Sequence, residues 1–306
     1  MLEFYLAEIR RARTDNLIHG VHHALENELA PAEFEYLARA IETSGVDVPP
    51  VCHAWIDHTR RLLQFGATGM RPFVRQPVAP GAMLYLAPPG METHERRTLV
   101  VAFAGDAHRL MIPIAGFLQY LDPARYELLL LFDGTRSMFM RGLSGVAPDV
   151  GSMLAWIEDL RRARAAPRTI ALGTSAGGLA AVWTAVALGL DRAVSIGGTS
   201  PAEVAERHQT LDLDISGFDD AIRRRAGALP EVAYLFGELW ENDRRKGESL
   251  AGHLPVTMVP VPHSAQHNVI FDAMRRGTLP ALLELLLGER NVAEAMRDPA
   301  VRGWAA

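Results

Sequence analysis

The pattern of hydrophobic and polar positions changes near residue 81. From residue 82 onward, short apolar runs alternate with longer stretches of helical period. Runs such as TLVVAF and ELLLLF are apolar at nearly every position, which is typical of strands buried on both faces of a parallel sheet. This alternation predicts an α/β domain over residues 81–306 with a doubly wound, mostly parallel sheet. The predicted strands are MLYLA, TLVVAFAG, YELLLLFDG, RTIALG, RAVSIGG, EVAYLFG and VTMVPV, and the predicted helices lie around 110–121, 150–165, 176–189, 216–226, 242–252 and 267–288.

Residues 1–80 follow a different pattern. In residues 1–42, Leu2, Tyr5 and Ile9 share one helical face, and Phe34, Leu37 and Ile41 share another after the helix-start signal APAEF. Clusters of Gly and Pro punctuate residues 43–80, with one further helix predicted at VCHAWIDHTRRLLQF. We therefore predict an N-terminal helical appendage over residues 1–80. It is a candidate lid, a candidate surface for homo-oligomer formation, or a buttress for the sheet.

Composition and charge narrow the classes of partner. The chain has 306 residues, of which 49% are hydrophobic and 22% charged, with a formal net charge of −5. No long basic block is present, so we expect neither a nucleic-acid partner nor a membrane partner. The first residues carry charges where a signal peptide would be apolar, and no apolar run approaches the length of a bilayer span. With Cys52 as the single cysteine, we expect a cytoplasmic protein without an internal disulfide.

The segment Gly173-Thr174-Ser175-Ala176-Gly177 carries the clearest chemical signal. It follows the predicted strand RTIALG and precedes an Ala-rich helix, which is the setting that the Gly-x-Ser-x-Gly turn requires. A sharp strand-to-helix turn leaves no room for side chains two positions before and after the serine. Ser175 is therefore predicted to be a nucleophile at a helix N-terminus, where backbone N–H groups stabilise developing negative charge.

A hydrolytic serine needs donors for the oxyanion of its tetrahedral intermediate. One predicted donor is the N–H of Ala176, directly after the serine. The second is expected from the loop AGDAHRLMIP after the strand TLVVAF, where Gly105 permits a close approach of the backbone and Asp106 or Ala104 supplies the N–H. The carboxylate of Asp106 must then point away from the oxyanion.

A serine hydroxyl also needs a base to accept its proton. Two histidines follow the last predicted strand, His263 in the loop and His267 at the start of the final helix. We favour His267, because a loop of several residues is needed to bring the imidazole back over the nucleophile.

The acid that orients the base is expected after the preceding strand, EVAYLFG. Three carboxylates compete there: Glu238, Glu241 and Asp243. We choose Asp243, which can cap the following helix and remain within reach of a histidine from the adjacent strand. Asp133 is a further acidic residue at this edge of the sheet, but it precedes the serine.

These segments together, FAGDAHRLMIP, FDGTRSMFMRGLSG, ALGTSAGG, LWEND and HNVI, resemble the α/β-hydrolase superfamily over roughly residues 82–288. The resemblance implies the order Ser175, Asp243, His267 for a catalytic triad. The His-Gly-Gly-Gly oxyanion loop of lipases is absent from the sequence, which argues against a lipase.

The function that follows is a serine esterase or thioesterase acting on a small-molecule or carrier-linked acyl group. The alternatives are an acyltransferase or cyclase that uses the same acyl-enzyme, and a non-catalytic interaction protein with the same fold. Arg109 and Arg136 are candidates for contacts with an anionic or phosphopantetheine-linked substrate, and a surface salt bridge is an equally good interpretation of Arg136. No cofactor and no metal are expected, because neither the histidines at 19, 22 and 23 nor the His53–His58 segment has a recognised ligand spacing.

Overall fold

The computed structural model describes residues 1–64, 69–211 and 215–298. Residues 65–68, which belong to the predicted appendage, and residues 212–214 and 299–306 of the predicted α/β domain lie outside the described residues. The strands are β1 (Val74–Ala79), β2 (Ala82–Leu86), β3 (Thr98–Phe103), β4 (Tyr126–Leu131), β5 (Arg168–Thr174), β6 (Arg192–Ile196), β7 (Glu231–Gly237) and β8 (Thr257–Val261). The helices are α1 (Leu2–Arg11), α2 (Asp15–Glu26), α3 (Pro31–Thr43), α4 (Pro50–Gln64), α5 (Ile114–Leu118), α6 (Val150–Arg164), α7 (Gly178–Leu188), α8 (Pro201–Leu211), α9 (Ser216–Arg224), α10 (Glu241–Ala251), α11 (Val269–Arg275), α12 (Leu279–Leu287) and α13 (Val292–Ala295).

Within the described residues, the strands form one sheet of eight in the order β1-β2-β4-β3-β5-β6-β7-β8. Strand β2 is antiparallel to both of its neighbours, and the other pairs in the sheet are parallel. Every residue of β3 and of β4 is buried, because helices cover both faces. The predicted fold class is confirmed: a doubly wound, mostly parallel sheet, preceded by helices.

Helix α7 packs at the centre of the molecule against β5 and β6. Its residues from Gly178 to Val186 are all buried, which its small and apolar sequence GLAAVWTAV allows. The helix ends at Gly189, whose φ of +63° is the left-handed conformation that glycine adopts easily at a helix C-terminus. The strand–turn–helix unit that carries Ser175 is thus held on both sides by the core.

Several elements differ from the sequence-based predictions, among them the short helix α13, which was not predicted. Strand β1 was not predicted, because Pro77 breaks its pattern; the structure accommodates this proline in an edge strand, where the register shifts between Pro77 and Ala79. Helix α8 was also missed. The single helix predicted over residues 267–288 is two helices, α11 and α12, separated at Gly277, which has a φ of +71°.

The four N-terminal helices enclose a hydrophobic cluster of their own, which includes Tyr5, Phe34, Leu37 and Trp55. They also contact the sheet: Arg75 of β1 pairs with Glu33 at 2.9 Å and with Glu28 at 3.1 Å. Because β1 precedes residue 81, the sheet begins on the N-terminal side of the predicted domain boundary. The boundary itself stays a prediction.

Candidate active site

Ser175 lies directly after β5, in a 3-10 turn that leads into α7. Its φ of +49° is in the left-handed region, an uncommon conformation for a residue with a side chain. A Cβ at position 173 would lie 2.2 Å from the carbonyl oxygen of Gly177, and a Cβ at position 177 would lie 2.3 Å from that of Phe103. The physical reason given for both glycines of the motif is therefore confirmed.

Thr199, which follows β6, fixes the turn from the neighbouring strand. Its backbone N–H and its hydroxyl both donate to the carbonyl oxygen of Ser175, at 2.9 Å and 3.1 Å. The side chain of Ser175 is half-buried at the N-terminal end of α7. Partial positive charge at this helix end favours a developing oxyanion beside the serine.

Asp243 and His267 are brought together at the same edge of the sheet. The Nδ1 atom of His267 lies 2.7 Å from Oδ2 of Asp243, which is fully buried. Asp243 lies inside the first turn of α10, whose N-cap residue is Trp240, rather than at the cap itself. An anion is favoured in that first turn because the helix dipole presents its positive end there.

The competing acids and the competing histidine have other partners. A carboxylate oxygen of Glu238 accepts the backbone N–H of His263 at 2.8 Å, and the His263 side chain is exposed. Glu241 is exposed and accepts hydrogen bonds from Arg244 and Arg245, which lower the pKa of its carboxyl.

Asp133 is likewise engaged within its own loop. Its carboxylate accepts the hydroxyl of Thr135 at 2.6 Å and the backbone N–H of Phe139 at 2.8 Å. Among the acidic candidates, Asp243 is thus the one that the structure places against His267.

A cavity of about 350 Å³ opens beside Ser175. Arg136, a predicted substrate contact, lies exposed in the loop after β4 and does not line this cavity. The lining residues come from α2, from the loop after β3, from the serine turn and from the histidine loop: His23, Gly105, Asp106, Ala107, Arg109, Met111, Thr174, Ser175, His267 and Asn268.

The loop after β3 forms a closed turn next to the serine. The N–H of Ala104 donates to Leu131 at 3.0 Å, and the N–H of Gly105 donates to the carbonyl of Arg109 at 3.2 Å. The carbonyl of Gly105 accepts the N–H of His108 at 2.8 Å. Since the C=O and N–H of a trans peptide point in opposite directions, this last bond directs the N–H of Asp106 out of the turn.

Gly105 supplies space rather than a donor. A Cβ there would lie 3.2 Å from the carbonyl oxygen of Thr174 and 3.3 Å from the Cβ of Ser175. A side chain here would crowd the serine turn, so glycine favours the close approach of the loop, in line with the reason given for it from the sequence.

Arg109 lines the cavity, but its guanidinium is already paired. It lies 3.0 Å from a carboxylate oxygen of Glu26 and donates from Nε to the side-chain oxygen of Asn27 at 3.1 Å. Burial lowers the pKa of Arg109, and the contact with Glu26 opposes that shift. Glu26 belongs to α2 and Asn27 directly follows it. Both contact the guanidinium that the sequence suggested for binding an anionic substrate.

Several residues at this edge were not singled out from the sequence. Gly197 follows β6 with a φ of +53°, and a Cβ there would lie 2.8 Å from Oδ2 of Asp243 and 2.9 Å from Cε1 of His267. The side chain of Asn268 donates to the carbonyl of Met111 at 2.7 Å, which joins the histidine loop to the segment after β3. The doublet Gly197-Gly198 at the end of a predicted strand was a signal for such a close approach.

Two negative findings concern metals and membranes. In the part of the chain that the structure describes, no group of three His, Cys, Asp or Glu side chains is placed to hold a metal ion. Over the same residues, no helix combines the length and the apolar character that crossing a bilayer requires.

Comparison with known proteins gives structural likenesses at low identity. Esterase B from Lactobacillus rhamnosis is 15% identical with a TM-score of 0.47, over 83% of this chain and 93% of that chain. The capsule O-acetyltransferase of Neisseria meningitidis serogroup A is 14% identical with a TM-score of 0.47, over 68% and 94%. A predicted CIB-like hydrolase from Thermoplasma acidophilum is 12% identical with a TM-score of 0.44, over 68% and 95%. No protein-family model matches the chain, and no curated protein matches it in sequence.

Proposed function

We propose that this protein is a serine hydrolase that cleaves an ester or thioester through an acyl-enzyme on Ser175. The observation that carries the proposal is the 2.7 Å contact between His267 Nδ1 and Asp243 Oδ2. His267 lines the same cavity as Ser175. A buried carboxylate on Nδ1 holds the ring in the tautomer that leaves Nε2 free to accept a proton.

In the first half of the proposed reaction, the Oγ of Ser175 attacks the carbonyl carbon while its proton passes to Nε2 of His267. The carbonyl oxygen becomes an oxyanion, which accepts the N–H groups of Ala176 and Asp106. The intermediate collapses, the bond to the leaving alcohol or thiol breaks, and His267 returns the proton to that group. Asp243 stays ionised throughout and stabilises the imidazolium.

In the second half, a water molecule attacks the acyl carbon and gives its proton to His267. Collapse of the second intermediate breaks the bond to Oγ, and the proton returns to Ser175. A free acid leaves, and the enzyme is restored. If an alcohol or amine replaces water in this step, the same acyl-enzyme performs acyl transfer.

The proposed substrate is a compact acyl group, either free or linked to a carrier. The cavity of about 350 Å³ lies at the small end of the usual range for ligand sites. Because Glu26 already pairs with Arg109, an anionic group in the substrate is not needed to balance that charge.

A fluorophosphonate probe tests the nucleophile. The wild-type protein should be labelled covalently, and Ser175→Ala should not, although both fold. Trypsin cleaves after Arg168 and Arg192, and the peptide between these sites contains Ser175 as its only serine, so mass spectrometry assigns the adduct. Labelling that is absent in the wild type, or unchanged in Ser175→Ala, would contradict the proposal.

A panel of short esters, long esters and acyl thioesters, with and without an added alcohol or amine, then separates hydrolysis from acyl transfer.

The cytoplasmic location and self-association through the N-terminal helices stay proposals. Solution mass with and without residues 1–42 tests the second of these.

A further inference from the structure

The loop after β3 is tied to the N-terminal helices through Asn27, directly after α2. The side-chain NH₂ of Asn27 donates to the carbonyl of Ala107 at 3.0 Å, and its side-chain oxygen accepts from Nε of Arg109 at 3.1 Å. Asn27 is 6% exposed, so both bonds are made with little competition from water. One buried amide therefore holds the loop at two points.

His23 adds a second contact from the same side. Its Nε2 lies 3.2 Å from the carbonyl of Ala107, and its Nδ1 contacts the guanidinium of Arg109. Only the neutral tautomer with the proton on Nε2 can donate to the carbonyl and accept from the guanidinium at once. Burial and the charge of Arg109 lower the pKa of His23, which favours this neutral form.

Glu26 connects the loop to the core of the N-terminal helices. One carboxylate oxygen lies 3.0 Å from Arg109, and the other accepts the indole N–H of Trp55 at 2.9 Å. Trp55 is buried and stacked on His22 with ring centroids 4.3 Å apart. The contact is thus anchored in packed side chains rather than in a flexible surface ion pair.

These contacts fix a peptide of the loop that is hydrogen-bonded to the peptide carrying the Asp106 N–H. The peptide that joins Ala107 to His108 is fixed at both ends, since its carbonyl accepts from Asn27 and His23 and its N–H donates to Gly105. That donation orients the peptide between Gly105 and Asp106, which carries the N–H of Asp106.

We propose that Asn27, His23 and Glu26 act as positioning residues that hold the Asp106 N–H in place as an oxyanion donor, through Ala107 and Arg109. The N-terminal helices are then part of the catalytic apparatus, and Arg109 holds the loop rather than binding substrate. This inference rests on the proposed function, because an oxyanion forms only if Ser175 attacks a carbonyl.

The test compares Asn27→Asp with a control that cuts a different contact between the same helices and the sheet. Asn27→Asp keeps an acceptor for Arg109 but replaces the donor to Ala107 with an oxygen that repels the carbonyl. Arg75→Met removes the ion pairs with Glu33 and Glu28 and leaves the bonds of Asn27 to Ala107 and Arg109 in place. His23→Leu is the second variant, used if Asn27→Asp does not fold.

Steady-state kinetics on a chromogenic acetyl ester and thermal unfolding are measured for each variant. We expect kcat to fall about 10- to 100-fold in Asn27→Asp with KM changed less than about twofold, because only transition-state stabilisation is lost. Arg75→Met should lower the unfolding temperature while kcat stays within about twofold of the wild type.

A kcat in Asn27→Asp that falls no further than in Arg75→Met would overturn the inference, since the helices would then only support the sheet. A rise in KM with unchanged kcat would overturn it too, and would return Arg109 to substrate binding. A wild-type protein that the fluorophosphonate probe does not label would instead overturn the proposed function itself.

Discussion

The ammonium nitrogen of Lys246 lies 3.7 Å from Oδ1 of Asp243, and Lys246 is the only lysine in the chain. Oδ1 is buried and has no hydrogen-bond partner among the described residues, so Lys246 is the cation that compensates its charge. Lys246 also pairs with Glu203 of α8 at 3.0 Å and is 16% exposed. Lys246, one helical turn after Asp243 on α10, therefore supplies the positive charge next to the carboxylate that contacts His267.

Replacing this cation should affect both stability and turnover. Lys246→Met leaves the buried carboxylate of Asp243 uncompensated, and we expect it to lower the free energy of unfolding by about 1–2 kcal/mol, less than for a fully buried pair because the lysine is partly solvated. We also expect kcat to fall about tenfold, since the contact with His267 loosens. Urea unfolding and ester kinetics measure the two effects.

The matched control is Glu203→Gln, which removes the other partner of Lys246 but keeps an oxygen to accept the N–H of Ser200. This variant should retain most of the turnover. Equal losses of kcat in both variants would show that the pair between Lys246 and Glu203, rather than the charge of Lys246 beside Asp243, accounts for the effect.

The choice of acid can be tested by three isosteric substitutions. Asp243→Asn preserves the size of the side chain but cannot hold His267 in the required tautomer, so kcat should fall by about 10⁴-fold. Glu241→Gln and Glu238→Gln should stay within about threefold of the wild type, because neither carboxylate contacts the histidine. A loss in Glu238→Gln as large as in Asp243→Asn would identify a different acid.

Local pattern was sufficient to predict most of the sheet and the placement of Ser175. Buried parallel strands such as β3 and β4 are apolar throughout, and the residues after their carboxyl ends meet at one edge of the sheet. Strand β1 escaped prediction because Pro77 is tolerated only at an edge, and a sequence does not reveal which strand lies at the edge.

The contacts between distant segments could not be predicted in the same way. His19, His22 and His23 look alike in a helical pattern, yet the packing of α2 buries His22 against Trp55 and turns His23 toward Ala107. The role of Arg109 likewise depends on Glu26, which is more than 80 residues earlier in the chain. Such pairings depend on tertiary packing. Lys246, in contrast, could have been singled out from the sequence, because it is the only lysine.

Gly197 offers a test of how tightly Asp243 and His267 are packed. A methyl group at position 197 would come within 3 Å of both side chains, so Gly197→Ala should displace them and lower kcat roughly 100-fold. Gly277→Ala is the control, because Gly277 also has a left-handed φ but has open space around its Cα. Circular dichroism and ester kinetics should show folded proteins that differ only in turnover. An equal fall of kcat in both variants would assign the effect to backbone strain, and a wild-type kcat in Gly197→Ala would contradict the close packing.

His22 should make the protein less stable in mild acid. It is buried beside Tyr5 and Trp55, and burial, with a smaller contribution from His19, lowers the pKa of its imidazole to about 4. An unfolded histidine titrates near 6.5, so as the pH falls below that value the unfolded chain takes up the proton first. The free energy of unfolding is therefore highest above about pH 6.5 and decreases as the pH approaches 4, by at most about 3 kcal/mol.

Urea unfolding at pH 7.5 and pH 5 measures this decrease directly. His22→Gln removes the titrating group while keeping a polar side chain near Tyr5, so the difference between the two pH values should shrink in that variant. His53→Gln, which replaces an exposed histidine of α4, should leave the difference as large as in the wild type. His23 contributes in the same direction because its pKa is also lowered, so part of the slope should remain in His22→Gln. An unchanged slope in His22→Gln would assign the acid sensitivity to other groups and contradict a neutral, buried His22.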